Sequence, residues 1–236
     1  MANTRENAVA TVAGIEGYRI QFEKIFPGEG VTIDNIGKAI ATFERAVVTG
    51  PTSYDYREIV PTVESQFDEE EIEEIKEESP EMYAKYAEAK RLTEGIDEGV
   101  WRGRDLFSAM ASVVLPVMPE PISPTSSTTT WEVGMDVEEL DLGRSVVTGE
   151  DKDTGAFKTP TVRNVAMTGP YMHDGSQATL EEVVDWYGKG GHPNEHLSDK
   201  VKKIELTDQE KQDLVAFMKI GLNGSFPPVE LGRLPQ

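Results

Sequence analysis

Apolar and polar residues follow one another along residues 33–47 with the spacing of an amphipathic α-helix. The apolar side chains recur at steps of three and four, at Ile33, Ile36, Ile40, Phe43 and Val47. This spacing predicts a helix with one apolar face that packs into a core. Thr32 or Asp34 would cap its start, and Gly50-Pro51 would end it.

Two further helices are predicted after residue 178, and each opens with a capping box. Thr179 is followed by Glu182, and Thr207 is followed by Glu210, the spacing at which a hydroxyl and a carboxylate cap each other's backbone. The apolar face of the first helix holds Leu180, Val183, Val184 and Tyr187, and glycines 188, 190 and 191 would stop it. The apolar face of the second helix holds Leu214, Phe217 and Met218.

The middle of the chain is predicted to be a helix followed by a long loop. A helical pattern crosses Gly103, with apolar residues at Ile96, Val100, Leu106, Phe107 and Met110. Residues 116–130 are rich in proline and hydroxyl residues, which favours an extended loop because proline removes donors and fixes φ. A turn is expected at residues 153–155, and no segment shows strong strand alternation. The predicted class is therefore mainly α with long irregular loops.

Composition excludes several kinds of function. The 236 residues have a formal net charge of −20 and contain no cysteine. The negative charge argues against nucleic acid and anionic membranes as partners. The lack of cysteine excludes disulfides, thiolate metal sites and covalent attachment of a c-type haem. No apolar run approaches the ~20 residues of a membrane span.

Half of the net charge lies in residues 64–98, which hold fourteen acidic and four basic residues. Ser79-Pro80 within this segment is a helix start, since proline suits the first helical position. Two interpretations remain open. The segment is either a solvated helical surface or a docking surface for a basic partner.

The histidines give no metal motif. His192 and His196 lie four residues apart, but glycines and Pro193 argue against a helical metal pair there. His173 lies in a turn-rich segment, where a single histidine usually has a structural hydrogen-bonding role.

Several motifs together resemble the C-terminal part of bacterial di-haem cytochrome c peroxidases and MauG-type proteins. The motifs are TPTVRNV at 159–165, TGPYMHDG at 168–175 and TLEEVV at 179–184, with IGKAIATFER at 36–45 and residues 206–218 as further matches. The resemblance implies a cytochrome c-like helical domain with long irregular loops. It also implies a division into three parts: residues 1–57 from the end of an N-terminal domain, an acidic helical insert at 58–92, and a C-terminal domain at 93–236.

One departure from the family pattern decides the expected function. Family members attach each haem through a C-x-x-C-H motif, and the second motif should follow residues 103–107. Residues 108–116 read SAMASVVLP, without cysteine or histidine, although Trp131–Gly134 still resembles the segment after the haem. The chain also begins, by this resemblance, just after the catalytic segment of the first domain. We therefore expect a haem-free, non-catalytic subunit with a degenerate haem domain.

Two alternatives stay open, so whether the chain is an enzyme is undecided. In the first, the chain is an oxidoreductase subunit for peroxidase or electron-transfer chemistry and holds haem non-covalently through Tyr187, His173 or Met110. In the second, it is one piece of a split di-haem peroxidase. The resemblance places the family's distal haem ligand at Tyr187, with His173 in the same vestigial pocket. A haem needs at least one good axial ligand in a dry site.

The resemblance also implies a cation, a partner and a location. Family members bind Ca²⁺ through backbone carbonyls that match Thr168 and Pro170, and carbonyl oxygens suit that hard cation. The expected partner is a haem-bearing cytochrome c-type chain or a second copy of this chain. By the same resemblance the protein is expected in the periplasm.

Overall fold

The computed structural model describes residues 4–114, 128–130, 141–191 and 203–226, and side chains at residues 4–110, 141–191 and 203–226. The helices are α1 (Arg5–Ala13), α2 (Glu16–Ile25), α3 (Ile33–Ala46), α4 (Ser53–Tyr56), α5 (Ile59–Gln66), α6 (Glu69–Glu78), α7 (Pro80–Thr93), α8 (Glu98–Val114), α9 (Ser145–Thr148), α10 (Leu180–Lys189) and α11 (Asp208–Ala216). The strands are β1 (Thr128–Thr130) and β2 (Ala156–Lys158). The described residues are mainly helical, which confirms the predicted mainly α class.

Helix starts agree with the capping residues in the sequence. Thr32, Thr179 and Thr207 each cap a helix by accepting a hydrogen bond from a backbone N–H three residues later. The two capping boxes are complete, because Glu182 and Glu210 accept from the capping residues in return. Helix α7 begins at Pro80, as predicted, and α11 continues into a π-helical turn at Phe217–Gly221.

Contacts between residues divide the chain into two compact units, residues 1–50 with 225–236 and residues 51–224. The three-part division at 57 and 92 stays a prediction. The described part of the first unit contains α1 to α3. Its buried side chains are Phe22, which contacts the ring of Phe26 at 5.9 Å, and Asn35.

The apolar face of α3 is exposed, which corrects the prediction that it packs into a core. Ile40 and Phe43 are 54% and 52% exposed, and Ile33 and Val47 are exposed as well. The buried position of the helix is Asn35, whose amide donates to Glu29 and to the Gly30 carbonyl at 3.1 Å. The helix also ends at Ala46, before the predicted stop at Gly50.

The second unit has a core in which α8 packs on α11 and the π-helical turn. The most deeply buried apolar side chains are Val100, Leu180, Leu214, Phe217 and Leu222. The Phe217 ring meets Phe107 of α8 at 5.6 Å and Tyr54 of α4 at 5.9 Å. Gly103 lets α8 approach closely, because a Cβ atom there would overlap the backbone carbonyl of Asp213.

The second unit also contains a small antiparallel sheet and isolated β-bridges. Strand β1 pairs with β2 in the register Thr128–Lys158, Thr129–Phe157 and Thr130–Ala156. The sequence alone predicts an extended loop for residues 116–130, so the strand at its end is a correction; residues 116–127 lie outside the described residues. Thr52 and Gly224 form an antiparallel bridge near the two ends of the unit.

Candidate functional site

The segment expected to carry the second haem-attachment motif is part of a helix. Helix α8 runs without interruption from Glu98 to Val114, so residues 108–114 continue the helix that holds Leu106 and Phe107. The side chains of Leu106, Phe107 and Met110 pack partly buried against the apolar core of the second unit. Met110 is thus placed as a packing residue on α8.

Tyr187 lies in the last turns of α10. The helix is held from both ends, by the Thr179 capping box and by Gly190 in the left-handed conformation (φ 83°) at its C-cap. The Tyr187 ring is half-buried and meets the buried Trp186 edge-on at 5.1 Å. Burial raises the pKa of Tyr187 to about 12, because it disfavours the charged phenolate.

His173 belongs to a different element and has different neighbours. The segment around it is closed by Tyr171 and Gln177, which exchange backbone hydrogen bonds of 2.7 and 3.4 Å. The exposed imidazole stacks on the Phe157 ring of β2, with 3.8 Å between ring centroids and 16° between planes. The structure therefore places His173 on a surface stack, and Tyr187 beside Trp186 on α10.

Thr168 and Pro170 lie on an exposed loop that follows a 3₁₀ turn at Val165–Met167. The Thr168 hydroxyl donates to the Val165 carbonyl at 3.0 Å. No described residue donates a hydrogen bond to the carbonyl oxygen of Thr168 or of Pro170. These oxygens can therefore accept a cation or a partner's donor.

Within the described parts of the chain, no three His, Asp or Glu side chains are grouped so that they could hold a metal ion. A calcium ion at the Thr168 loop would need further oxygen ligands from outside these residues, since Ca²⁺ takes six to eight. His192 and His196 lie outside the described residues.

The loop before Thr168 is fixed by a partly exposed ion pair that no local sequence pattern indicates. The guanidinium of Arg163 donates to both carboxylate oxygens of Asp55, at 2.7 and 2.8 Å. Asp55 also accepts from the backbone N–H of Thr52 at 2.7 Å. Burial by itself would raise the pKa of Asp55, but the hydrogen bonds from Arg163 and Thr52 outweigh it and lower the pKa below its ordinary value.

Asn164 anchors the same loop to the end of the second unit. Its backbone is left-handed (φ 54°), a conformation that asparagine tolerates better than most residues. Its N–H donates to the Leu222 carbonyl at 2.9 Å, and its side-chain oxygen accepts from Gly224 at 2.7 Å. The signal in the sequence was the Arg-Asn pair within the motif at 159–165, but its partners lie far away in the chain.

The chain resembles known proteins in two respects, a family match over its first residues and a relative that aligns with its whole length. Residues 1–59 match the protein family described as di-haem cytochrome c peroxidase, CCP_MauG. The whole chain is 31% identical, over 239 aligned positions, to the cytochrome c551 peroxidase of Nitrosomonas europaea and covers 58% of that protein. The chain is therefore similar to di-haem cytochrome c peroxidases and MauG-type proteins.

Two further proteins align with the chain over a similar share of their own length. The methylamine utilization protein MauG of Methylophilus methylotrophus is 25% identical over 97% of this chain, which again covers 58% of the relative. A MauG-like protein associated with microbial copper homeostasis, known from a crystal structure, is 30% identical with a TM-score of 0.42 over 61% of this chain and 57% of its own. The chain thus spans somewhat more than half the length of these relatives.

The residues of this chain do not fit a covalently attached haem. The sequence has no cysteine to form a thioether, and residues 108–116 offer no histidine as an axial ligand. His173 is exposed, and burial disfavours the phenolate form of Tyr187. The chain therefore has no residue to which a haem could be attached through a thioether bond.

Proposed function

We propose that the chain is a haem-free, non-catalytic structural and interaction subunit derived from a di-haem cytochrome c peroxidase. The observation behind the proposal is the segment at 108–116, which has neither cysteine nor histidine where family members carry the attachment motif. The motifs around it are retained, so the frame of the domain persists while its haem chemistry is lost. The domain would then be kept for what it binds.

The packing of the second unit supports a structural role. Helix α8 contributes Val100, Leu106 and Phe107 to a core with Leu214 and Phe217, and the Phe217 ring is fully buried. A core closed by aliphatic and aromatic side chains stabilises the fold without a prosthetic group. The domain is therefore suited to persist as a scaffold.

The exposed apolar face of α3 supports a partner. Ile33, Ile40 and Phe43 of α3, and Val47 directly after the helix, are each at least 36% exposed. Contiguous apolar side chains at a surface commonly mark a protein–protein contact. We propose a haem-bearing cytochrome c-type chain or a second copy as the partner, with a buried area above ~1,000 Å².

Calcium and location belong to the same proposal. The carbonyl oxygens of Thr168 and Pro170, which accept no hydrogen bond from a described residue, would hold Ca²⁺ if a partner supplied the remaining oxygen ligands. None of the helices in the described part of the chain has the length and apolar character that a bilayer crossing requires. The relationship to cytochrome c peroxidases supports a periplasmic location.

A second candidate is an oxidoreductase subunit that holds haem non-covalently, or one piece of a split di-haem peroxidase. The relatives named above as peroxidase and as MauG favour it. Tyr187 would be the axial ligand, on a helix whose capping holds it in place. Burial opposes this role, because it favours the neutral phenol over the phenolate.

The absorption spectrum of the purified chain distinguishes the two candidates. We expect no Soret band after incubation with haemin and desalting, and no haem stain on a denaturing gel. A stoichiometric Soret band that shifts in Tyr187→Phe, and stays unshifted in the control Tyr171→Phe, would replace the scaffold with the haem-binding candidate.

A further inference from the structure

A groove lies between α6 and α7, away from the residues discussed so far. Its volume is about 550 Å³, and Ile72, Tyr83, Tyr86 and Ala87 supply its apolar lining. Pockets that bind ligands usually fall between about 300 and 1,000 Å³, so the groove can hold several side chains. Helix α6 has ten residues and is therefore ~15 Å long, at 1.5 Å per residue.

Hydrogen bonds fix the aromatic lining. The buried Tyr86 donates its hydroxyl to Glu64 at 2.9 Å, and the Lys90 ammonium donates to both of these groups at 3.3 Å. The rings of Tyr83 and Tyr86 lie 6.4 Å apart. Burial and the Glu64 carboxylate raise the pKa of Tyr86, so the hydroxyl stays a donor. The lining is thus in place before any partner binds, which lowers the cost of binding.

The charge around the groove is negative. Glu69, Glu73 and Glu94 line it together with Lys90 and Arg91. Lys90 is paired with Glu64, and Glu73 forms an exposed pair with Lys76 at 3.3 Å. The surrounding residues 64–98 hold fourteen acidic and four basic side chains. Such a field attracts cationic groups and repels nucleic acids and anionic lipids.

We propose that this groove binds a basic, partly apolar segment of a partner protein. An apolar side chain of the segment would contact Ile72 and Tyr83, and its lysine or arginine head groups would pair with Glu69 and Glu94. A further head group would displace the exposed Lys76 from Glu73 and from the Tyr83 ring, over which the Lys76 ammonium lies at 5.2 Å. The proposal rests on the proposed function, because it gives the interaction subunit a recognition site of defined chemistry. The groove's volume and its combination of aromatic lining and acidic side chains favour a peptide segment over a small cation.

The test uses a fluorescein-labelled synthetic peptide of alternating lysine and leucine residues, with fluorescence anisotropy on the full chain. We expect binding that weakens as the ionic strength rises to about 0.15 M, where exposed charges are screened over ~8 Å. Glu69→Gln with Glu73→Gln should weaken binding about fivefold, since each exposed pair contributes only modestly. The matched control is Glu77→Gln with Glu78→Gln, which removes the same charge from α6 outside the groove and should weaken binding less than about twofold.

A second pair of variants tests the apolar contact. Tyr83→Ala should weaken binding about fivefold or more, as truncation of an interface aromatic commonly does. The control Met82→Ala removes a neighbouring exposed side chain that does not line the groove and should leave binding unchanged. If Tyr83→Ala loses helical circular dichroism, the two glutamate pairs still decide, because all four side chains are exposed.

Three results would overturn the groove proposal: no binding of the peptide, equal weakening by the two glutamate pairs, or a Tyr83→Ala variant that folds and binds like the wild type. Equal weakening would mean diffuse attraction by the whole acidic surface. A Soret band in the haemin experiment would instead overturn the proposed function, and the peptide result would stand apart from it.

Discussion

Replacement of Gly103 by alanine is expected to separate two helices of the second unit. A Cβ atom at this position would overlap the carbonyl group of Asp213, and its next neighbour, the N atom of Leu214, would lie at 3.0 Å. These are backbone atoms of α11, so no side-chain rotation relieves the overlap. Helix α8 or α11 must move, together with the core between them.

The size of the effect follows from two opposing terms. Alanine is a better helix former than glycine by about 1 kcal/mol. Overpacking of a close contact costs about 3 kcal/mol when a rigid group stands in the way. The free energy of unfolding should therefore fall by about 2 kcal/mol. With a urea dependence of about 2 kcal/mol/M, the midpoint of unfolding falls by about 1 M.

Urea unfolding followed by tryptophan fluorescence measures this change, because Trp101 and Trp186 lie in the second unit. The matched control is Gly188→Ala in α10, where the nearest atom to the added Cβ would be the Ile204 carbonyl oxygen at an ordinary 3.6 Å. That variant should gain about 0.5 kcal/mol. A Gly103→Ala midpoint equal to or above that of the wild type would refute the close approach of α8 to α11.

Two further predictions concern the Arg163–Asp55 pair and α3. Arg163→Ala should lower the free energy of unfolding by about 2 kcal/mol at neutral pH. Because the pKa of Asp55 is lower in the folded than in the unfolded chain, this loss should shrink as the pH falls below the unfolded pKa of about 3.9. A loss that is constant from neutral pH to pH 3, or that matches the exposed control Lys203→Ala, would contradict it. Ile40→Asp and Phe43→Asp should abolish assembly with a partner or second copy, measured by native mass spectrometry, while stability changes by less than about 1 kcal/mol. Assembly retained in both variants, or lost equally in the off-face control Thr42→Asp, would remove α3 from the interface.

Local signals in the sequence predicted the helices well. The capping boxes at Thr179 and Thr207 and the start at Pro80 depend on residues within one turn, so their spacing alone fixes where a helix begins. The period of the apolar residues predicted α3 and α8 for the same reason. These features need no knowledge of the rest of the fold.

Burial and long-range pairing were beyond the sequence. The stripe on α3 has the period of a core helix, yet Ile40 and Phe43 are half exposed, because burial depends on what lies opposite them. Arg163 pairs with Asp55 across 108 positions of the chain, and no local pattern joins the two. The strand β1 has three residues of threonine, too few to show an alternation.

For the candidate site, the sequence shows that the haem-attachment residues are missing, but it does not show what surrounds Tyr187 and His173. The lack of cysteine and histidine at 108–116 is readable directly. The stack of His173 on Phe157 and the groove between α6 and α7 appear only when separate segments meet. The assignments of Tyr187, His173, Thr168 and Pro170 to ligand roles stay predictions.

The bridge between Thr52 and Gly224 has a consequence for the topology of the chain. The polypeptide enters and leaves the second unit at neighbouring points. Residues 51–224 are therefore an insertion whose two ends are adjacent. Such an insertion can be removed at its two ends without interrupting the chain inside it. It also tolerates circular permutation, because new termini elsewhere need only a short bridge between the old ones. The unit could therefore be gained, lost or transferred between proteins as a whole during evolution.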